Sequence, residues 1–574
     1  MAVLGSDHAP RRAWVFAAAL LSIALLLDLL FLPNTLEDAF ISFRYAAHLA
    51  QGHGLGAWNL GDGRVEGYTS LLWVLLLALG AKLSLGPVAL SKVFGVASHL
   101  AAVALLLAAP ARLARAGDAN HPLAAEDGAA CRIAALFLAL NLSVCWYSGS
   151  GMEALPFVFG LVIILTWPYP ASRRSALFLA LACAALVLLR PEGPLVALAT
   201  QALGVIVARR SGRHARPYGI TVIVTLLATV FLTVLRLELF QAWLPNTYYA
   251  KASGAGVMHV LYGARYVAEW AIAHQLWLAF AIAATVGAAR TLESERLSIW
   301  TLGVAALLVA YLAYVLKVGG DNYSAFPYWR HMVHVSPLLA ALGGLGLVRL
   351  FPRQPAVRYA AAALAVASIN SALLIAPHGM MGRDLSKLPH GPNVFRTRPD
   401  SSLIHWFRVY TRPGTVVATG MAGELPFAID RVVYIDILGL NDAHIAREGR
   451  FDPAGPPDSK TDMRYVLSRK PDVIDGYVSA KRLRAGGSAR ELLSYRNQML
   501  RTLVDDPEFQ ANYLFLLNGP YQTMDRALFL RRDFWESHPR RSELHCIPVL
   551  ATSLYGDSAA ARPALRTQAA GRSP

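Results

Sequence analysis

The sequence predicts a polytopic α-helical membrane protein that ends in an α/β domain outside the membrane. Three observations predict it. Hydrophobic residues fill 55% of the 574 positions and charged residues only 16%, whereas soluble domains carry about 25% charged residues. Apolar runs near the roughly 20 residues that span a bilayer recur as far as residue 376. Beyond residue 378 charged residues become frequent and apolar runs shrink to strand length. The expected division is therefore a membrane domain over 1–377 and a soluble domain over 378–574.

Twelve apolar runs stand out, at 13–32, 69–85, 88–110, 131–147, 152–168, 175–190, 194–208, 218–236, 268–289, 297–316, 333–351 and 359–376. The first follows Arg11 and Arg12 and lacks a small-x-small cleavage site, so it reads as an uncleaved signal anchor. The formal net charge of +16 does not call for nucleic acid. Much of the Lys and Arg excess sits in short loops, where membrane topology alone accounts for it. Basic loops face the cytoplasm, and Arg209-Arg210-Ser-Gly-Arg213-His-Ala-Arg216 is the clearest of them. All basic clusters, the N-terminal pair included, fall on one side only if run 69–85 does not span. That run is short and contains Lys82, and it reads as an interfacial or re-entrant helix. Eleven spans result, with the N-terminus inside and the C-terminal domain outside.

The loops left on the outer face carry the chemistry. Loop 33–87 opens with Leu36-Glu37-Asp38 and continues through Arg44 to Arg64-Val-Glu66-Gly-Tyr68. The turn Ser148-Gly-Ser-Gly-Met-Glu153, the span end Arg190-Pro-Glu192-Gly, Leu244-Pro-Asn246-Thr-Tyr248-Tyr-Ala-Lys251, and Gly319-Gly-Asp321 followed by Arg330 complete the set. Inner loops are short and basic without such variety.

Each candidate has a plain reading beside a functional one. Glu37 and Asp38 complement a helix dipole if a helix begins near Leu36. Adjacent carboxylates at a membrane boundary are costly unless they act, and a carboxylate made more basic by burial serves as a general base. Only one of two neighbours on a helix can face a given cavity, since they lie about 100° apart, and Asp38 is the favoured one. Arg44 either pairs with one of these acids or helps hold a donor. Arg190 either snorkels from a span end or faces a lipid-linked phosphate. Glu153 either caps a helix or joins the site. Lys251 is either a solvated loop lysine or, with Arg190 and Arg330, part of a cation set for a phosphodiester. Trp243, Tyr248, Tyr249, Tyr323, Tyr328 and Trp329 form either an interfacial aromatic belt or a stacking platform for sugars.

In the C-terminal part, Val416-Val-Ala-Thr and Val432-Val-Tyr-Ile read as short buried strands, and Asp462–Lys470 as a short helix leading to a strand at Pro471-Asp-Val-Ile-Asp. Tyr513, Tyr521 and Trp535 belong to a part with no clear element. Cys131, Cys145, Cys183 and Cys546 show neither metal-ligand spacing nor a disulfide framework. No metal cluster and no cofactor are expected, with a divalent ion on an outer carboxylate left open.

The ordered motifs resemble a known family. Glu37-Asp-Ala-Phe-Ile-Ser-Phe-Arg-Tyr-Ala, Gly52-His-Gly-Leu and Val65-Glu-Gly-Tyr-Thr-Ser-Leu-Leu-Trp are followed by Ser150-Gly-Met-Glu, Leu189-Arg-Pro-Glu-Gly, Leu244-Pro-Asn-Thr-Tyr-Tyr-Ala-Lys, Gly319-Gly-Asp and Ile437-Leu-Gly-Leu-Asn-Asp-Ala-His-Ile-Ala-Arg. Together they resemble GT-C membrane glycosyltransferases. More narrowly, they resemble the terminal arabinofuranosyltransferases that use decaprenyl-phosphoryl-arabinose, and proteobacterial relatives linked to flagellar motor control. The resemblance implies a GT-C fold in the bacterial inner membrane, a polyprenyl-phosphate-linked sugar donor and a cell-envelope glycan acceptor. It places the first-loop acid at Asp38. Glu37 departs from the aspartate pair common in that family, so either carboxylate can be the base. Donor-binding roles fall to Arg44, Glu66, Glu153, Arg190, Asn246, Tyr248, Lys251, Asp321 and Arg330. The competing class is a transporter or a non-catalytic envelope protein.

Overall fold

The computed structural model describes residues 8–118, 121, 123, 125–254, 256–290, 295–321, 329–375, 394–396, 402–451, 460–477, 503–504, 506–517 and 526–549. Tyr323, Tyr328 and Tyr521 lie outside the described residues, as does the expected domain boundary near 378. The chain packs as two compact units. The first holds Met1–Ala57, Tyr68–Pro245 and Gly254–Thr397; the second holds Trp58–Gly67, Asn246–Ser253 and Arg398–Pro574.

The helices of the first unit follow in chain order: α1 (His8–Phe31), α2 (Glu37–Ala50), α3 (Leu71–Lys82), α4 (Pro87–Arg115), α5 (Ala125–Leu140), α6 (Leu142–Gly149), α7 (Ala154–Thr166), α8 (Arg173–Leu189), α9 (Gly193–Arg210) and α10 (Arg216–Phe240). Helix α11 (Asn246–Lys251) belongs to the second unit. The first then resumes with α12 (Val257–Ala273), α13 (Gln275–Arg290), α14 (Glu295–Val318), α15 (Arg330–His334), α16 (Ser336–Leu350) and α17 (Pro355–Ile375). Strand β1 (Asn34–Leu36) pairs antiparallel with β2 (Val394–Arg396), Leu36 opposite Val394.

Four described helices are long and apolar enough to cross a membrane: α1, α4, α10 and α14. Two bent pairs raise the number to six if each is one span: α5 with α6, bent by 58°, and α12 with α13, bent by 91°. The eleven expected spans are therefore not matched one for one by long straight helices. Runs 131–147 and 268–289 read as continuous in sequence, but each is interrupted. Asn141 caps α6 by accepting from Ser143 N at 3.0 Å, while Asn370 accepts from Leu142 N and donates to Leu140 O. The break thus has its freed backbone groups satisfied. At the second break the His274 N–H closes α12 on Trp270 O, and the His274 carbonyl accepts from Leu278 N to open α13. Helix α3 has twelve residues, about 18 Å at 1.5 Å per residue, short of a hydrocarbon core about 30 Å thick.

Buried polar pairs join the membrane helices. Asp28 of α1 accepts from His99 of α4 at 2.9 Å and from Ser148 of α6 at 2.8 Å. Trp277 of α13 donates to Leu339 O of α16 at 2.9 Å and stacks near Phe137 of α5, with centroids 4.4 Å apart. Each indole and carboxylate has a partner, as burial in an apolar interior requires.

The second unit is built on a six-stranded sheet. Its strands are β3 (Val416–Thr419), β4 (Val433–Asp436), β7 (Val473–Tyr477), β8 (Tyr513–Leu516), β9 (Arg526–Arg531) and β10 (Cys546–Pro548), with a two-stranded pair β5 (Arg450–Phe451) and β6 (Lys460–Thr461) beside it. The order is β10-β8-β9-β7-β3-β4. β3 pairs parallel with β4 and β7, and the remaining pairs are antiparallel. Ala418, Ile435, Ile474, Phe515 and Phe529 alternate into a core with Ile445, Val466, Leu467 and Phe509, the period-two pattern of a packed sheet. Asp462 caps the helix Met463–Ser468 by accepting from Tyr465 N, where the sequence places a short helix. Trp535, left without an element in sequence, lies in the short helix Arg532–Glu536 after β9.

Candidate active site

The site begins with the way α2 is held. Leu36 is extended and donates its N–H to Ser150 O at 2.9 Å. Gly151 has φ +83° and lies against Ala39 and Phe43, where an added Cβ would come within 3.0 Å of each. Only glycine accepts both that backbone and that approach. Lys92 of α4 fixes the same corner: its ammonium donates to Leu32 O, Asn34 O and Gly149 O at 2.7, 2.6 and 2.8 Å, which uses all three of its donors. Helix α2 therefore starts at Glu37, with Glu37 and Asp38 in its first turn, where the helix dipole favours them. Arg44 is buried farther along the same helix.

Asp38 meets Arg330. The Arg330 Nη1–H donates to Asp38 Oδ2 at 2.8 Å, and Nη2 lies 2.5 Å from Asp321 Oδ2. Asp38 keeps 20% of its side chain exposed against 2% for Asp321, so it is the more open of the two carboxylates. Arg330 begins α15 after Trp329, which is buried with φ +34°. The Arg330 Nε–H is buried with no hydrogen-bond acceptor among the described residues, a costly state for a charged donor.

A second buried cluster stands on Arg190. This residue ends α8 in extended conformation. Its Nη1–H donates to Glu153 Oε1 at 2.5 Å and its Nε–H to Glu192 Oε1 at 3.0 Å. Glu153 and Glu192 occupy the N-cap positions of α7 and α9, yet neither side chain makes a cap bond; both turn to Arg190. Gly193 makes the turn possible, since a Cβ there would stand 2.0 Å from Leu186 O. Glu192 Oε1 also accepts from Tyr311 OH at 3.0 Å, and His334 Nδ1 lies 3.3 Å from it.

The structure thus brings together Asp38, Asp321 and Arg330 in one cluster and Glu153 and Arg190 in another, both within the first unit. Glu66, Asn246, Tyr248 and Lys251 belong to the second unit. There Asn246 is a structural clamp. Its amide donates to Gly439 O at 2.8 Å and Leu440 O at 3.0 Å, and its backbone N–H donates to Glu66 O. Glu66 is buried and Tyr248 packs edge-on against Tyr249. The clamped turn runs from Asp436, whose carboxylate accepts from Leu438 N, Asn441 N and Asn441 Nδ2. Burial pushes the Asp436 carboxyl up to about 6 in spite of these donors. Asn59 closes the edge of β4 with two bonds to the Tyr434 backbone. Trp243 is exposed, whereas Trp329 is fully buried, so these aromatics do not form one surface.

Sequence reasoning missed Lys92, Tyr311, His331 and His334. The His331-Met-Val-His334 spacing puts both rings on one helical face and was the available signal. Tyr311 and Lys92 lie inside apolar runs, where nothing local marks them. With the carboxylates ionised, each cluster carries one positive and two negative charges. The two arginines are therefore more than neutralised by the chain itself.

Comparison with known proteins adds the following. A family described as a domain of unknown function, DUF8728, matches residues 393–525. No curated protein sequence matches the chain. Among solved structures, ArnT from Cupriavidus metallidurans bound to undecaprenyl phosphate is similar at a TM-score of 0.50 and 12% identity, over 91% of this chain and 98% of that one. Archaeal oligosaccharyltransferase AglB from Archaeoglobus fulgidus, in complex with an inhibitory peptide and a dolichol-phosphate, matches at a TM-score of 0.47 and 12% identity, over 89% of this chain and 74% of that one. The likeness to ArnT shows the fold alone, and that fold is the GT-C one.

Proposed function

We propose that the protein is a glycosyltransferase of the bacterial inner membrane. In this reading it moves arabinofuranose from a polyprenyl phosphate donor to a cell-envelope glycan at the outer face. One observation carries the proposal: the partly open carboxylate of Asp38 is held at 2.8 Å by a buried arginine with one N–H that has no acceptor among the described residues. A base and an anion donor then stand side by side. The fold shared with ArnT, which binds undecaprenyl phosphate, supports a lipid-phosphate donor, and the ordered motifs from Glu37 to Arg447 support the arabinosyl branch.

The acceptor hydroxyl oxygen bonds to the anomeric carbon as the bond from that carbon to the phosphate oxygen breaks. The hydroxyl proton passes to Asp38, with Glu37 as its neighbour at the helix start. The polyprenyl phosphate leaves with one more negative charge on its oxygens. Arg330 Nε–H and the Arg190 guanidinium stabilise that growing charge best when they are fixed in advance, which their carboxylate partners ensure. The domain beyond residue 378 holds the glycan. Purified protein, synthetic polyprenyl-phosphoryl-arabinose and an arabinan acceptor should release polyprenyl phosphate. No turnover on any lipid-linked sugar would overturn the proposal.

A further inference from the structure

The charge count leaves an unmet need. A phosphodiester approaching two clusters that each carry an excess negative charge is repelled unless another cation is present. Beside Arg190 lies a set of side chains suited to supply one. Glu192 stands on the α8–α9 turn, and His331 and His334 stand one turn apart on α15. One ligand atom from each lies within 4.8 Å of the other two. All three are buried.

Among the described residues, three of their polar atoms have no hydrogen-bond partner: Glu192 Oε2, His331 Nδ1 and His334 Nε2. Buried polar atoms are seldom left so, and one on each of three neighbouring side chains calls for a ligand. His334 is also oriented as a metal-bound imidazole is. Its Nδ1 faces Glu192 Oε1 at 3.3 Å and Tyr311 OH at 3.1 Å, leaving Nε2 for the ion; an outer carboxylate on the second ring nitrogen is the usual support of such a ligand. The other His–carboxylate group in the membrane unit has no such opening. Both nitrogens of His99 are engaged, by Asp28 and Leu138 O, and Cys145 donates to Ala139 O.

We propose that Glu192, His331 and His334 bind one divalent transition cation of the zinc type. Two imidazoles and a carboxylate suit such an ion, with the remaining position open. Bonds of about 2.1 Å in a tetrahedral site put ligands about 3.4 Å apart, so the side chains close inward by about an ångström on binding. The ion brings two positive charges, and the Arg190 cluster changes from a net charge of −1 to +1. The open position accepts an anionic oxygen. That last role rests on the proposed lipid-phosphate donor, whereas the binding of the ion does not.

The full-length protein in detergent is stripped with a chelator, given one equivalent of Zn2+ or Co2+, and passed through gel filtration. One ion per chain should be retained by elemental analysis, and the cobalt form should show visible bands of nitrogen–oxygen coordination. His331→Gln and His334→Gln should each weaken Zn2+ binding at least tenfold, while His444→Gln on the soluble unit leaves it unchanged. No retained ion in the wild type, or wild-type affinity in both His→Gln variants, would overturn the site. Ion retention without turnover on lipid-linked sugars would sink the enzymatic reading and leave the site standing. Turnover by chelated, ion-free protein would overturn the ion's role toward the donor and leave the enzymatic reading standing.

Discussion

In the ion-free protein, replacing Arg190 by methionine removes the guanidinium that pairs with two buried glutamates. Both ion pairs in the wild type are short, at 2.5 and 3.0 Å, and the partner side chains are 2% and 0% exposed. Each pair contributes a gross attraction of about 4 kcal/mol at an effective dielectric of 20, largely offset by desolvation. Without the guanidinium, Glu153 and Glu192 cannot both stay ionised, and one takes up a proton. At pH 7 this costs about 1.4 kcal/mol for each unit above an ordinary glutamate value near 4.3, or about 4 kcal/mol. That agrees with the roughly 3–5 kcal/mol measured when one partner of a buried pair is removed. The cost has a sign in pH. The folded variant holds a proton that the unfolded chain has released, so its deficit shrinks to about 1 kcal/mol at pH 5. Thermal unfolding in detergent should show Arg190→Met lowered by about 8 °C at pH 7 and by about 2 °C at pH 5, taking about 2 °C per kcal/mol for a large unit. Adding Glu153→Gln and Glu192→Gln should recover most of the loss. A deficit that is the same at both pH values, or below 1 kcal/mol at pH 7, would refute the buried triad.

Three further outcomes are expected. Gly193→Ala drives a Cβ into Leu186 O and should cost about 3 kcal/mol in the same melt, whereas Gly219→Ala, with nothing within 4 Å, should change stability by less than about 1 kcal/mol. Asp436, protonated in the fold up to about 6 and ordinarily near 3.9 in the unfolded chain, should make the second unit lose about 2 kcal/mol as pH rises from 4 to 6. Hydrogen exchange along β4 reads this, and the pH slope should vanish in Asp436→Asn. Asn246→Ala leaves Gly439 O and Leu440 O without their donor and should cost about 2 kcal/mol, seen as faster exchange at 438–442; unchanged exchange would remove the clamp.

What was legible in the sequence was local. Glu37 and Asp38 start a helix because an extended Leu36 precedes them, and the apolar runs at Val416 and Val432 read as short buried strands, which they form. The glycines before Glu153 marked a tight turn. The rest depends on partners far apart in the chain. Asp38 and Arg330 are separated by 292 positions, and no spacing rule foretells that pairing. Run 268–289 looked continuous because its few polar residues, His274 and Gln275 among them, are scattered among apolar ones, and the 91° bend there is a matter of backbone bonding. Asn246 read as a site residue through the motif Leu244-Pro-Asn-Thr-Tyr-Tyr-Ala-Lys; its amide bonds to the turn at 439–440, which no local signal foretells.

The measurement that bears most directly on the account is release of polyprenyl phosphate from a lipid-linked arabinose by the wild type, Asp38→Asn and Glu37→Gln, all purified and shown to be folded. Asp38 touches Arg330 and keeps an open face, so Asp38→Asn should slow turnover by about 10²–10⁴-fold, the usual contribution of a general base, and Glu37→Gln by less than about tenfold. Wild-type rates in Asp38→Asn, or a greater loss in Glu37→Gln, would contradict it.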